Sequence, residues 1–371
     1  MIRIRGESNS ITLSRLSSIV NSLYPKGSKI LIPKEAPLNI FVKIIQFISQ
    51  QRLDFVFQEI ILELLNAGKT IKMVCPERMS VGLRGFLVVA DNLQQREGEP
   101  PMPQNLVSLP SGNTIRKKKT FVNKTLSDKM ALELGISSDY FVPIIKSYES
   151  ILNVLDNHLG KPYLMVNSQN YNKEADDVIT GDRKLKMYLF RTCVAAIPRL
   201  FPEEKKNRIE IVEMLIRLTT YLDEKLRGLS FQAIQTLFND YPNWRPFVLK
   251  KFITFIQTNI MDSSTFLLEY SLRSILQLIY NFKNNLMIPQ ANDFKQKYKL
   301  THKETTKRDI KVINTSEKLE ILYDNEFKTA LQMIEAFTLV IIAHNNLTLR
   351  PIGVTLLKEI NRIADTFNSD V

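Results

Sequence analysis

The stretch Leu349-Arg350-Pro351-Ile352-Gly353-Val354-Thr355-Leu356-Leu357-Lys358-Glu359-Ile360-Asn361-Arg362-Ile363-Ala364-Asp365-Thr366-Phe367 decides the fold. Its apolar residues Leu349, Ile352, Leu356, Ile360, Ile363 and Phe367 step by three or four, which places them on one face of a helix over several turns. Upstream, Leu249, Ile253, Ile256 and Ile260 step in the same way. Between Ile209 and Leu222 the apolar positions are denser and cover two neighbouring stripes, the pattern of a helix buried between layers. Strand-like alternation is scarce, and Lys69 to Val74 is its best instance. Glycine is short as well, 12 in 371 residues, against an average usage of roughly 7%. The chain is therefore expected to be all-α. Ser127 with Asp128 is expected to open a helix from Met130 to Leu134, closed by Gly135, and Thr315 or Ser316 to cap a long run through Leu322, Leu331 and Phe337.

A weak repeat runs through these helices. Leu83-Arg84-Gly85 is followed by Ala90, and Leu226-Arg227-Gly228 is followed at the same offset by Ala233. Leu272-Arg273-Ser274 and Leu349-Arg350-Pro351 begin comparable apolar runs. The second and third copies lie 46 residues apart, inside the roughly 40–47 residue period of HEAT and armadillo units. The expected roles are close helix approach at the small residue and an arginine bridge to an acid one unit away. A helical-repeat solenoid is the architecture this rhythm predicts.

Two stretches interrupt the helices. Gly98 to Thr125 holds Pro100, Pro101, Pro103 and Pro110 and is expected to be loop. Pro289 to Asn314 is polar and Lys-rich, and is expected to be an exposed insertion. A shorter polar stretch, Asn167 to Lys184, joins two helices. The organisation predicted is an N-terminal helix and linker over 1–37, a helical-repeat region over 38–288, a basic insertion over 289–314 and a further helix pair over 315–371.

Charge follows the interruptions. The chain carries a formal net charge of +12. Ser111 to Lys124 supplies five positive charges and no acid, and Gln290 to Asn314 supplies seven Lys/Arg against three Asp/Glu. Nine of the twelve excess charges thus belong to two loops, leaving the helical body near balance. Arg116, Lys117, Lys118, Lys119 and Lys124 form the candidate binding loop for an acidic partner, since such a run releases counterions from a polyanion without reading sequence. No specific nucleic acid is expected, because aromatic residues are not interleaved with the basic ones.

Catalytic look-alikes fall away one by one. Gly68-Lys69-Thr70 resembles the end of a P-loop, but Glu63 stands where the motif needs glycine and a helix leads in where it needs a strand. A helix C-cap at Gly68 is the plainer expectation. Asn172-Lys173-Glu174-Ala175 has Ala where a guanine-reading loop needs Asp, and Asp176, Asp177 and Asp182 lack the spacing of a calcium loop. Of the three histidines none has a second His at metal-ligand spacing; His158 precedes Gly160 at a helix end, and His344 extends an apolar stripe, with His302 the third. Glu203-Glu204 is expected in a solvated turn, and Trp244 at a corner as a packing anchor. Cys75 and Cys193 stand alone, so neither a disulfide framework nor a zinc module is expected. No catalytic residue, metal ligand or cofactor site is assigned. The start shows no signal-peptide core, the apolar runs are too short to span a bilayer, and a reducing, cytoplasmic setting is expected. The three Asn-x-Ser/Thr sequons at Asn123, Asn314 and Asn346 carry little weight there.

Longer strings are more specific. They include Gln51-Arg52-Leu53-Asp54-Phe55-Val56-Phe57-Gln58-Glu59 and Pro76-Glu77-Arg78-Met79-Ser80-Val81-Gly82-Leu83-Arg84-Gly85, continuing to Asp91. Pro100 to Pro103, Leu109 to Thr114, Leu189 to Leu200 and Asp223 to Gly228 add to them, with Glu335 to Val340 and Leu356 to Ile360 as looser landmarks. In these strings the chain resembles the N-terminal region of the Furry family of cell-morphogenesis proteins, over about Leu38 to Ile363. The resemblance implies a non-enzymatic scaffold of HEAT/armadillo-like repeats that works with NDR-class kinases and Mob co-activators in polarised growth and neurite development. It also implies a place in the cytoplasm, at the cell cortex or on the cytoskeleton. Some members of that family associate with microtubules, so a microtubule- or polyanion-binding protein acting through its basic loops is the alternative. Family members run to thousands of residues, and the chain is expected to be a fragment, short isoform or truncated form. The family supplies no catalytic residues to carry over. A transport carrier built on similar repeats fits the periodicity alone, and the oligomeric state is left open.

Overall fold

Capping residues and prolines set where helices begin. Asp223 takes an extended conformation and its carboxylate accepts the Leu226 N–H at 2.8 Å, while Glu224 adds negative charge to the first turn. Pro76 and Pro246 stand in first turns, where the missing N–H has no intrahelical partner to lose. The computed structural model describes residues 9–26, 37–49, 52–66, 73–96, 138–166, 181–200, 205–261, 264–287 and 325–368. Among these residues the chain is all-α. The single β-like feature is an isolated antiparallel bridge between Leu164 and Tyr221.

The chain divides into two units. The first covers Met1–Pro162 with Lys173–Arg208. It contains α1 (Asn9–Leu23), α2 (Leu38–Ser49) and α3 (Leu53–Phe55, continuing through π-helical Val56–Ile61 into Leu62–Leu64). It also contains α4 (Pro76–Arg96), α5 (Ser138–Leu155, prolonged by π-helical Asp156–Gly160) and α6 (Asp182–Ala196). Helix α4 is the centre of this unit, packed on α2, α3 and α6. Two glycines permit that packing. A Cβ on Gly82 would stand 2.9 Å from Leu64 Cβ, and one on Gly85 would stand 2.9 Å from Ile45 Cδ1. The Tyr24 hydroxyl ties α1 to α2 by donating to the Phe41 carbonyl at 2.7 Å.

The second unit covers Tyr163–Asn172 with Ile209–Val371. It holds most of α7 (Lys205–Leu218), then α8 (Glu224–Asp240), a 3-10 turn at Pro242–Trp244 and α9 (Arg245–Phe255, prolonged by π-helical Ile256–Ile260). Helices α10 (Thr265–Met287), α11 (Asn325–Ile342) and α12 (Leu349–Asn368) complete it. Helix α12 packs on α10 and α11, α9 packs on α11, and α8 packs on α9 and α10. Phe238, Phe282 and Phe327 meet in the core, with Phe282 edge-on to both partners at centroid distances of 5.8 and 5.1 Å.

The two quoted stripes are buried as expected: Leu249, Ile253, Ile256 and Ile260 in one, Leu349, Ile352, Leu356, Ile360 and Ile363 in the other. Val212, Met214, Leu215, Ile216 and Leu218 are all buried, as a helix covered on two sides requires. Residues 127–135, 315–322 and 69–72, where two helix boundaries and a strand-like run are expected, lie outside the described residues.

The Leu-Arg repeat does not keep one register. Leu83 and Leu272 are the eighth residues of α4 and α10, Leu226 is the third of α8, and Leu349 opens α12. The leucine is buried in all four. Gly85 makes the expected close approach, but a Cβ on Gly228 would meet nothing within 4 Å.

Candidate functional site

Arg116, Lys117, Lys118, Lys119 and Lys124 lie outside the described residues, as do Gly68 to Thr70, Asn172 to Ala175, Asp176, Asp177, Glu203, Glu204, His302 and the insertion at 289–314. The remaining candidates have definite surroundings. Cys193 is buried in α6, and its carbonyl accepts the Tyr148 hydroxyl of α5 at 2.8 Å. Burial pushes the Cys193 thiol well above its ordinary range. It does the same to the Tyr148 phenol, with Cys193 and Glu149 adding to the effect. A protonated, enclosed thiol is a packing group rather than a nucleophile. His158 is exposed on the π-helical turn after α5. His344 stands beyond the end of α11 at the corner, not on the apolar stripe: Ile342 ends the helix and the chain turns before the stripe reaches it. Its Nδ1 accepts the Asn346 N–H at 3.0 Å. Among the described residues no three His, Cys, Asp or Glu side chains gather as a metal site, and no helix is long and apolar enough to cross a membrane.

Arginines organise several of the corners between helices. None of the four in the Leu-Arg copies reaches an acid on another helix among the described residues. Arg227 donates from Nη1 to the Tyr221 and Leu222 carbonyls at 2.7 and 2.9 Å, and Arg350 donates from Nε to the His344 carbonyl at 2.8 Å. Arg273 pairs with Glu269 one turn back on its own helix, at 2.7 Å. A guanidinium near the start of one helix thus satisfies carbonyls left over at the preceding corner, where partial negative charge collects.

Arg245 extends this pattern and was not singled out by the sequence. Its Nε and Nη2 donate to the Phe238 and Asn239 carbonyls at 2.7 and 3.0 Å, and its guanidinium lies 4.8 Å from the Phe282 ring centroid. Adjacent Trp244 is only half-buried and packs edge-on to Phe247 at 5.3 Å. The signal for Arg245 is positional: an arginine within the first turns after a short corner, five to seven residues beyond a carbonyl at the preceding helix end or corner, as in Arg227 and Arg350. A second feature had no sequence signal. Lys283 of α10 and Glu359 of α12 form a buried ion pair, and the other Glu359 oxygen accepts Arg362 Nη1 at 2.6 Å.

One surface arrangement differs from these. In the first unit, Arg84 Nη1 donates to Asn39 Oδ1 of α2 at 3.3 Å, while its guanidinium lies 5.3 Å from the ring centroid of Tyr188 on α6. Three helices therefore meet around one outward-facing cation. Nothing in this geometry pairs a nucleophile with a base; it presents a surface.

No solved structure matches the chain. Residues 1–282 match the cell morphogenesis N-terminal family. With all-α architecture and that match over most of its length, the chain belongs to the cell morphogenesis N-terminal family, the N-terminal region of Furry-type proteins.

Proposed function

We propose that this chain is a non-catalytic interaction platform for cell morphogenesis, in which stacked HEAT/armadillo-like helix pairs hold an NDR-class kinase and its Mob co-activator together. The family match over residues 1–282 carries this reading. The packing supports it: helices such as α2, α10 and α12 bury one stripe on their neighbours and leave another face to solvent, which is how repeat arrays gain extended binding surfaces. The benefit to signalling is effective concentration rather than chemistry. Polarised growth and neurite development in the cytoplasm, at the cortex or on the cytoskeleton are the settings this role fits. Co-purification of the full chain with a kinase–Mob pair at low salt is the test. A folded, helical chain that retains neither protein overturns the reading.

A second reading rests on the charge run itself. The five positive charges from Arg116 to Lys124 suit acidic tubulin tails, and reversing Arg116, Lys117, Lys118 and Lys119 is expected to abolish co-pelleting with microtubules. Salt-insensitive pelleting is the result that overturns it.

A further inference from the structure

The near-balance of charge in the helical body conceals a segregated face. Over residues 76–90, helix α4 shows solvent only a narrow strip of Glu77, Arg84, Leu87 and Val88 between α2 and α6. On α2 the residues at helical spacing beside Asn39 are Lys43 and Phe47, and on α6 the exposed arc runs through Lys184, Tyr188 and Arg191. Lys43, Arg84, Lys184 and Arg191 therefore share a face on which Glu77, two turns from Arg84, is the one acid among the described side chains. Large apolar groups lie among these cations. Phe47 is 74% exposed and Ile40 49%, with Leu185 and Tyr188 also open.

We infer that this α2–α4–α6 face docks an acidic amphipathic segment of a partner protein, its carboxylates on Arg84 and the flanking lysines and its apolar side chains on Phe47, Ile40 and Tyr188. Charge complementarity selects the acid. The exposed aromatic and aliphatic groups select a peptide over a nucleic acid, because a phosphate backbone offers them no apolar partner. Arg84 is the anchor. Asn39 and the Tyr188 ring hold its guanidinium in place, and Asn39 takes one of five N–H donors, so a fork suited to a carboxylate is already oriented. Pre-orientation lowers the entropy lost on binding.

The inference rests on the platform reading and is separable from its partners. Peptide binding without kinase–Mob co-purification overturns the partner assignment and leaves the face standing. The test is fluorescence anisotropy with the full chain and a labelled helical peptide bearing Glu on one face and Leu and Phe on the other. Comparison probes are the same peptide with Ser for Leu and Phe, an oligo-dT strand, and phosphatidylserine-containing vesicles. The amphipathic peptide is expected to bind tightest. Arg84→Glu, and separately the double variant Lys43→Glu with Lys184→Glu, are expected to weaken it about tenfold, and Phe47→Ser several-fold. Neutralising Arg116, Lys117, Lys118 and Lys119 is expected to leave the affinity within about twofold. The double variant alters only exposed positions, and its far-UV circular dichroism is expected to match the parent. Equal affinity for the Ser peptide or oligo-dT makes the face a general polyanion surface and overturns the proposal. Equal affinity for the vesicles makes it a membrane surface and does the same, as does peptide affinity unmoved by the charge reversals.

Discussion

Leu83-Arg84-Gly85 in the first unit and Leu226-Arg227-Gly228 in the second are the same three residues with different duties. The leucines agree: both are buried, at 1% and 0% exposure. The arginines diverge, one facing outward between Asn39 and the Tyr188 ring, the other folded back on the Tyr221 and Leu222 carbonyls. The glycines diverge further. Gly85 lies against Ile45, whereas Gly228 is exposed with open space around its Cα. Placement in the helix is the cause. The first tripeptide falls midway along a central helix, and the second falls in the opening turns of α8, just past a corner.

The shared part of the motif should show the largest effect. Leu83→Ala and Leu226→Ala are each expected to cost about 2–5 kcal/mol of stability in urea titrations followed by circular dichroism, since each leaves a cavity in a closed core. A small loss at either site breaks the claim that the leucine does the same thing twice. Next is Gly85→Ala, expected to destabilise by about 1–3 kcal/mol because the new Cβ forces Ile45 to move. Adding Ile45→Val, which removes the Cδ1 nearest that methyl, is expected to restore part of the loss.

The arginines rank below these. Arg227→Ala is expected to cost about 1–2 kcal/mol, because two corner carbonyls lose a charged donor. Arg84→Ala is expected to stay within about 0.5 kcal/mol, as befits a half-exposed side chain with no ion pair among the described residues. Similar losses at both positions would erase the distinction between a corner clamp and a presented cation. The smallest effect has the opposite sign. Gly228→Ala is expected to raise stability by about 0.8–1 kcal/mol, read as a higher urea midpoint, since alanine is the better helix former and nothing opposes its methyl.

Much of this fold is legible in the sequence because helix periodicity is a local property. Each residue's face follows from its neighbours three and four positions away, so the stripes at Leu249 to Ile260 and Leu349 to Ile363 could be read directly. Corner contacts are nearly local: Arg227, Arg245 and Arg350 reach carbonyls five to seven residues back, and that spacing is visible once known. His344 went the other way. The apolar stripe continues to it in sequence, but the chain has already turned toward Asn346.

The sequence by itself determined the all-α class, the buried stripes, the family and the concentration of charge in two stretches of the chain. Each of these depends on composition, on short-range periodicity or on long uncommon strings. Only the tertiary structure decided that Lys283 meets Glu359 across 76 residues, that Gly85 is pressed and Gly228 is free, and that Arg84 joins Lys43, Lys184 and Arg191 on one face. Those outcomes depend on which helices become neighbours, and helix neighbours are chosen by the summed fit of whole faces rather than by any one residue.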